Sequence, residues 1–188
     1  IFNTTYYPTL LEDNVELVPR AVERVTRTGV VDVDGVERAV DVLIMSTGFQ
    51  PTNYLARIEI VGRNGSLRDY WDGEPRAFLG ITVPTFPNFF ILYGPGTNGG
   101  EIVSMLERQS EYAVRVMQRM RREGVTAVEV KRGWADRYHE WLMAKMDGTS
   151  WQMCTNYFTV ENGRIVTQWP YGPTLYGLMT KVLGRPSE

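Results

Sequence analysis

The chain has 188 residues, 43% of them hydrophobic and 22% charged, with a formal net charge of -2. That balance excludes a disordered chain and a surface built throughout for nucleic acid, and at this size folding buries about 70% of the extended-chain surface without a disulfide or metal staple. No apolar run approaches the ~20 residues of a membrane span. One cysteine, Cys154, and one histidine, His139, leave no intrachain disulfide and no cluster at metal-ligand spacing. The expected setting is reducing and cytoplasmic. The chain opens on Ile1 with neither a basic nor an apolar leader, so it reads as a piece of something longer.

In chain order, Val15-Glu16-Leu17-Val18 is a short apolar run with strand character. Val31 and Val33 alternate with Asp32 and Asp34 before Asp34-Gly35, a dipeptide suited to a two-residue hairpin turn, and Val36 to Val40 is the return strand. Asp41-Val42-Leu43-Ile44-Met45 is a continuous apolar run closed by Ser46-Thr47-Gly48, the pattern of a strand buried on both faces of a parallel sheet. From Gln50 to Thr85 the periodicity is poor. Asn64-Gly65 marks a turn there, and Trp71 and Phe78 are the expected anchors.

Phe89 to Tyr93 is a second buried-strand run, followed by Gly94-Pro95-Gly96-Thr97-Asn98-Gly99-Gly100 and a long helical pattern. Val103, Leu106, Ser110, Ala113, Met117 and Met120 recur at steps of three and four and predict its core face. Arg119, Arg121, Arg122 and then Gly124 suit a helix end, where cations meet the negative dipole and glycine closes the last turn. Val125 to Lys131 reads as a strand. Trp134, Tyr138, Trp141, Leu142 and Met146 mark another helix, and Leu175, Leu178, Met179 and Val182 a last one ending at Gly184.

The loop Gly94 to Gly100 carries the most chemistry. Glycines let a cofactor approach the backbone, and free amides at a helix start attract an anion. Its first six residues satisfy the G-x-G-x-x-G dinucleotide pattern, but the ribose-binding acid belongs about 20 residues on, and Glu129 lies 30 residues past Gly99. No Gly-Lys-Ser/Thr follows, which excludes a Walker A loop. Asn98 with Glu101 also forms a capping-box pair. His139-Glu140 lacks the second histidine of a zinc-protease motif, with Met143 in its place, and reads as a solvated helix face. Cys154 reads as a packed thiol.

Three blocks in order resemble the FAD- and NADPH-dependent class B flavoprotein monooxygenases, most closely the Baeyer-Villiger branch. Asp41 to Phe49 is similar to the strand that ends in Ala-Thr-Gly-Phe, with Ser46 for the alanine. Trp71, Phe78-Leu79-Gly80-Ile81-Thr82-Val83-Pro84 and Phe86-Pro87-Asn88 through Gly94-Pro95-Gly96 form the most specific block. Asn156-Tyr157-Phe158, Gly163-Arg164-Ile165-Val166 and Trp169-Pro170 resemble the branch's tail, with Tyr157 where the family has tryptophan. The opening segment, Tyr6-Tyr7-Pro8 through Val18, also fits.

The resemblance implies an α/β fold, the C-terminal portion of a flavoprotein with two dinucleotide-binding, Rossmann-like domains. Residues 1–48 would end the NADPH-binding domain, and residues 49–188 would be the last part of the FAD-binding domain with its tail. It implies FAD and NADPH as cofactors and a small organic substrate with O2. The charge balance gives no case for a nucleic-acid or membrane partner, and apolar surface left without its sheet neighbours would drive self-association of the fragment. Thr47, Gly48, Phe49, Gly94, Pro95, Gly96, Thr97, Asn98 and Tyr157 would contact cofactor, and Thr97 and Asn98 would face substrate. The family's catalytic arginine would fall before Ile1, so no catalytic residue is assigned. The implied reaction is oxidation of a ketone to an ester, with N- or S-oxygenation, or a dinucleotide-binding module without oxygenation, as alternatives.

Overall fold

A computed structural model describes residues 3–153 and 156–183. Cys154 and Gly184 therefore lie outside the described residues. The chain forms two compact units, residues 1–48 and 49–188.

In the first unit a short helix α1 (Tyr6–Thr9) precedes an antiparallel sheet of β1 (Val22–Val25), β2 (Gly29–Asp32) and β3 (Glu37–Ala39), in the order β1-β2-β3. The expected hairpin is β2 to β3, with a loop one residue longer than read. Val33, Asp34 and Gly35 lie between Asp32 and Val36, which share a backbone hydrogen bond, and Gly35 takes φ 80°. The Asp32 carboxylate fixes this turn by accepting from the Val36 and Asp34 amides and from Arg38. The Val36 amide first, then Arg38, hold it below its ordinary pKa. The strand in this half that went unread is Val22–Val25, while Val15 to Val18 forms none.

Among the described residues of this unit only Gly29, Val31 and Asp32 are buried. The expected two-face-buried strand at Asp41 to Met45 is a correction. The segment is not a strand, and Ile44 is 81% exposed. A parallel strand of this type needs strand neighbours and covering helices, and among the described residues nothing pairs with it.

Among the described residues the second unit has a short hairpin of β4 (Val61–Gly62) and β5 (Gly65–Ser66), the α-helices α2 (Leu67–Trp71), α3 (Ile102–Glu123), α4 (Arg132–Met146) and α5 (Pro173–Val182), and a 3-10 turn at Ser150–Gln152. Between α2 and α3 the chain is irregular, as expected as far as Thr85, with Trp71 and Phe78 buried as anchors. Phe89 to Tyr93 and Val125 to Lys131, both read as strands, are irregular too. Side chains do the joining that a ladder would do. Asn88, at φ 60°, donates from Nδ2 to Thr126 O at 3.0 Å and accepts from the Val128 amide at 3.0 Å, while its own amide donates to Val128 O.

Two apolar clusters make the core. One gathers Phe78, Leu79, Ile81, Met105, Tyr112, Val116, Tyr138, Leu142, Trp169 and Tyr176, and the other Leu67, Trp71, Ala77, Val83, Phe86 and Ile91. Segment 77–91 feeds both. The core face of α3 is Met105, Gln109, Tyr112, Ala113 and Val116, while Val103 and Met117 are exposed. The apolar stripe read from sequence was displaced because the true face carries Gln109 at its centre. On α5 the buried residues are Tyr176, Gly177 and Thr180, not Leu178 or Val182. Gly177 there allows close approach of the Arg108 side chain. The carboxyl end of α3 is as read, with Gly124 at φ 67°.

Candidate functional site

The loop Tyr93 to Gly100 is held from three sides. Tyr93 adopts φ 60°, rare for a side chain of its size, and is fixed at both ends. Its amide donates to Gln109 Oε1 at 2.6 Å, and its hydroxyl donates to Asn98 Oδ1 at 2.6 Å. Gln109 is fully buried and donates from Nε2 to the Tyr176 hydroxyl at 2.9 Å, which in turn donates to Leu79 O at 2.6 Å. This relay runs from the loop through α3 and α5 to Leu79, itself at φ 54°. On another side, the Gly96 amide donates to Val166 O at 2.7 Å, the Asn98 amide to Thr167 O at 2.9 Å, and the Trp169 amide to Asn98 O at 3.0 Å.

The third side is close packing, which changes the meaning of the glycines. A Cβ on Gly94 would land on the Gly80 carbonyl oxygen, one on Gly96 would meet the Leu142 side chain, and one on Gly99 would strike the Trp169 carbonyl. At these three glycines the space a side chain would take is filled by the protein's own atoms, so the missing Cβ serves packing. Only Gly100, at φ 82°, has open space where a Cβ would stand.

Two further expectations need correction. Thr97 is fully buried, with its hydroxyl donating to Gly94 O at 2.6 Å and its methyl occupying the space left by Gly80, so its side chain supports the loop from beneath and does not face a substrate. Asn98 does not cap the helix. α3 starts at Ile102 with Glu101 at its N-cap and no side-chain cap hydrogen bond, because the Asn98 amide oxygen is taken by Tyr93. The uncapped amides of the first turn remain available to an anion.

Asn98 is half-buried and Tyr157 is 61% exposed, its ring centroid 4.1 Å from that of Phe158. Burial first, and the Tyr157 hydroxyl second, raise the Tyr93 pKa. Tyr93, Gly94, Pro95, Gly96, Thr97 and Asn98 thus share one braced loop, and the Tyr157 hydroxyl is near enough to Tyr93 to act on it electrostatically. Thr47 and Gly48 end the first unit and Phe49 opens the second, all three exposed, with Phe49 at 90%.

His139 is no solvated residue. Its Nε2 lies 2.8 Å from Glu74 Oε1, and both side chains are largely buried. The same carboxylate accepts from Arg164 Nη1 at 2.8 Å and from Asn162 Nδ2 at 2.8 Å. Burial raises the Glu74 pKa, but the hydrogen bonds from Arg164 and then His139 outweigh it and hold the group below its ordinary value. Glu74, Gln109 and Tyr176 carry little local sequence signal as site residues, because their partners lie 16 to 97 residues away. The one available signal was Glu74 set between Gly73 and Pro75, a carboxylate in a rigid turn. Among the described residues no group of three or more His, Cys, Asp or Glu side chains is arranged to hold a metal, and no helix is long and apolar enough to cross a membrane.

No family model matches the sequence. A Baeyer-Villiger monooxygenase of Pseudomonas aeruginosa is 36% identical over 176 residues, 90% of this chain and 33% of its own length. The closed crystal structure of cyclohexanone monooxygenase superposes with a TM-score of 0.83 at 29% identity, over 95% of this chain and 35% of that one. The chain is a counterpart of the C-terminal part of the Baeyer-Villiger flavoprotein monooxygenases. OTEMO in complex with FAD and NADP matches equally well, with a TM-score of 0.83 at 29% identity, over 95% of this chain and 34% of that one. The chain spans about a third of the length of the curated relatives it matches. The α/β class is that of these flavoproteins, although both sheets within the described residues are antiparallel.

Proposed function

We propose that this chain is the C-terminal part of an FAD-dependent, NADPH-using monooxygenase that oxidises a ketone to an ester. The observation that supports it best is the agreement in fold with cyclohexanone monooxygenase along 95% of the chain. In this reading residues 1–48 complete the NADPH-binding domain and residues 49–188 the FAD-binding domain. Bound FAD supplies the oxygen activation, with electrons drawn from NADPH. The protein's own share is position and charge. The Tyr93 to Gly100 backbone presents a rigid edge to the flavin ring, and the uncapped start of α3 favours negative charge there. With Pro95 and Thr97 buried, Asn98 and Tyr157 are the candidate side chains of this region left to contact ligand. In the same reading Thr47, Gly48 and Phe49 also contact cofactor.

The test is the full-length protein. Flavin absorbance in the purified preparation, NADPH oxidation stimulated by ketones, and ester recovered from a ketone panel are the expected results. A colourless protein that FAD fails to reconstitute refutes the flavoprotein reading. A flavoprotein that oxygenates amines or sulfides and yields no ester from any ketone refutes the ketone assignment alone.

A further inference from the structure

Glu74 joins three segments far apart in sequence, and its own backbone is unusually fixed. Asp72 and Gly73 before it both take positive φ, the Glu74 amide donates to Trp71 O at 2.8 Å, and Trp71 Nε1 donates to Arg76 O at 2.7 Å. With Pro75 next, the carboxylate stands on a rigid platform anchored by a buried tryptophan.

What the carboxylate grips is the turn of a tight hairpin. The Asn162 side chain accepts from the Arg164 amide at 3.0 Å, the Val160 amide donates to Arg164 O at 2.9 Å, and Thr159 pairs antiparallel with Ile165. Both turn side chains that reach Glu74, those of Asn162 and Arg164, hang from this hairpin. Its exit segment is Ile165 to Trp169, buried throughout, and the Val166 and Thr167 carbonyls there accept the Gly96 and Asn98 amides. The third arm, His139, is on α4 three residues before Leu142, the side chain that fills the space beside Gly96. Two elements that hold the glycine loop, segment 165–169 through its backbone hydrogen bonds and α4 through Leu142, are therefore tied to one carboxylate.

We propose that Glu74 is a positioning residue for the Tyr93 to Gly100 loop, acting through the 162–164 turn and α4 without touching a ligand itself. Arg164 is half-exposed, so its ion pair alone contributes little. The effect comes from three donors converging on one nearly buried carboxylate, whose removal leaves them without their partner.

Amide hydrogen exchange on the full chain tests this. Glu74→Ala is expected to speed exchange at Gly96, Asn98 and Trp169 by about tenfold or more, with Met105, Tyr112 and Val116 of α3 changed by less than about twofold. Asn162→Ala, which removes one exposed arm and leaves the ion pairs, gives a smaller effect at the same three amides and serves if Glu74→Ala does not fold. Unchanged exchange at those amides, or an equal rise across residues 49–188, overturns the proposal, since the latter marks a general loss of stability. That the loop faces flavin rests on the function proposed above. In the full-length protein, Glu74→Gln should alter the visible flavin spectrum and raise the NADPH oxidised per product formed. If exchange responds locally and the flavin spectrum does not, the flavin placement fails and the positioning role stands.

Discussion

Replacing Tyr176 by phenylalanine removes a single oxygen from the centre of the second unit. That hydroxyl accepts from Gln109 Nε2 at 2.9 Å and donates to Leu79 O at 2.6 Å, and the residue has no exposed surface. Burial pushes its pKa far above the usual tyrosine range, so it stays protonated and donating at every pH of interest. The phenyl ring keeps its packing against Trp169, 5.4 Å between centroids. The loss is therefore confined to a buried amide N–H without an acceptor and a buried carbonyl without its donor, together about 2–4 kcal/mol. All five tryptophans lie in residues 49–188, so tryptophan fluorescence during urea unfolding reports this unit alone. With a slope of about 2 kcal/mol per molar urea, the midpoint should fall by about 1–2 M. A shift below about 0.3 M would show that the relay from Tyr93 to Leu79 is not satisfied as drawn, and the reasoning would fail.

Gly94→Ala places a methyl group on the Gly80 carbonyl and 3.0 Å from Ile91 Cγ2, backbone and core atoms with little freedom to yield. A loss of about 1–3 kcal/mol is expected in the same unfolding assay, and an unchanged midpoint would contradict the close packing. Asn88→Ala removes two side-chain hydrogen bonds to residues 126–128 and puts alanine at φ 60°. It should cost about 1–3 kcal/mol by urea denaturation, with faster amide exchange at Val128. Glu74 has a folded pKa below its unfolded value, so its contribution is present above the ordinary glutamate value of about 4.3 and is lost as pH falls through the folded value. Glu74→Gln should flatten the acid limb of stability measured from pH 6 down to about pH 2, and parallel curves for the two proteins would refute the assignment.

Helices α3 and α4 were legible because long stretches with helical spacing and a Gly124 terminus carry their signal locally. The buried faces of α3 and α5 were not. Gln109, Gly177 and Thr180 belong to the interior for reasons outside their own helices: a hydroxyl on α5, a side chain on α3, and the close approach of the two. The same limit explains the misread strands. Val42 to Met45 and Phe89 to Tyr93 are apolar enough for buried strands, but a strand exists only through its hydrogen-bonded neighbours.

The sequence by itself determined the family resemblance and the location of the glycine loop, because both rest on residues close together in the chain. Tertiary structure alone decided how that loop is used. Gly94, Gly96 and Gly99 accommodate Gly80, Leu142 and Trp169, and Tyr93 and Asn98 bond to each other in a conformation held by Gln109. Glu74 reaches His139, Asn162 and Arg164 across 65 to 90 residues of chain. A glycine's missing Cβ and a carboxylate's open lone pairs are vacancies in the sequence, and only the folded chain brings up the atoms that fill them.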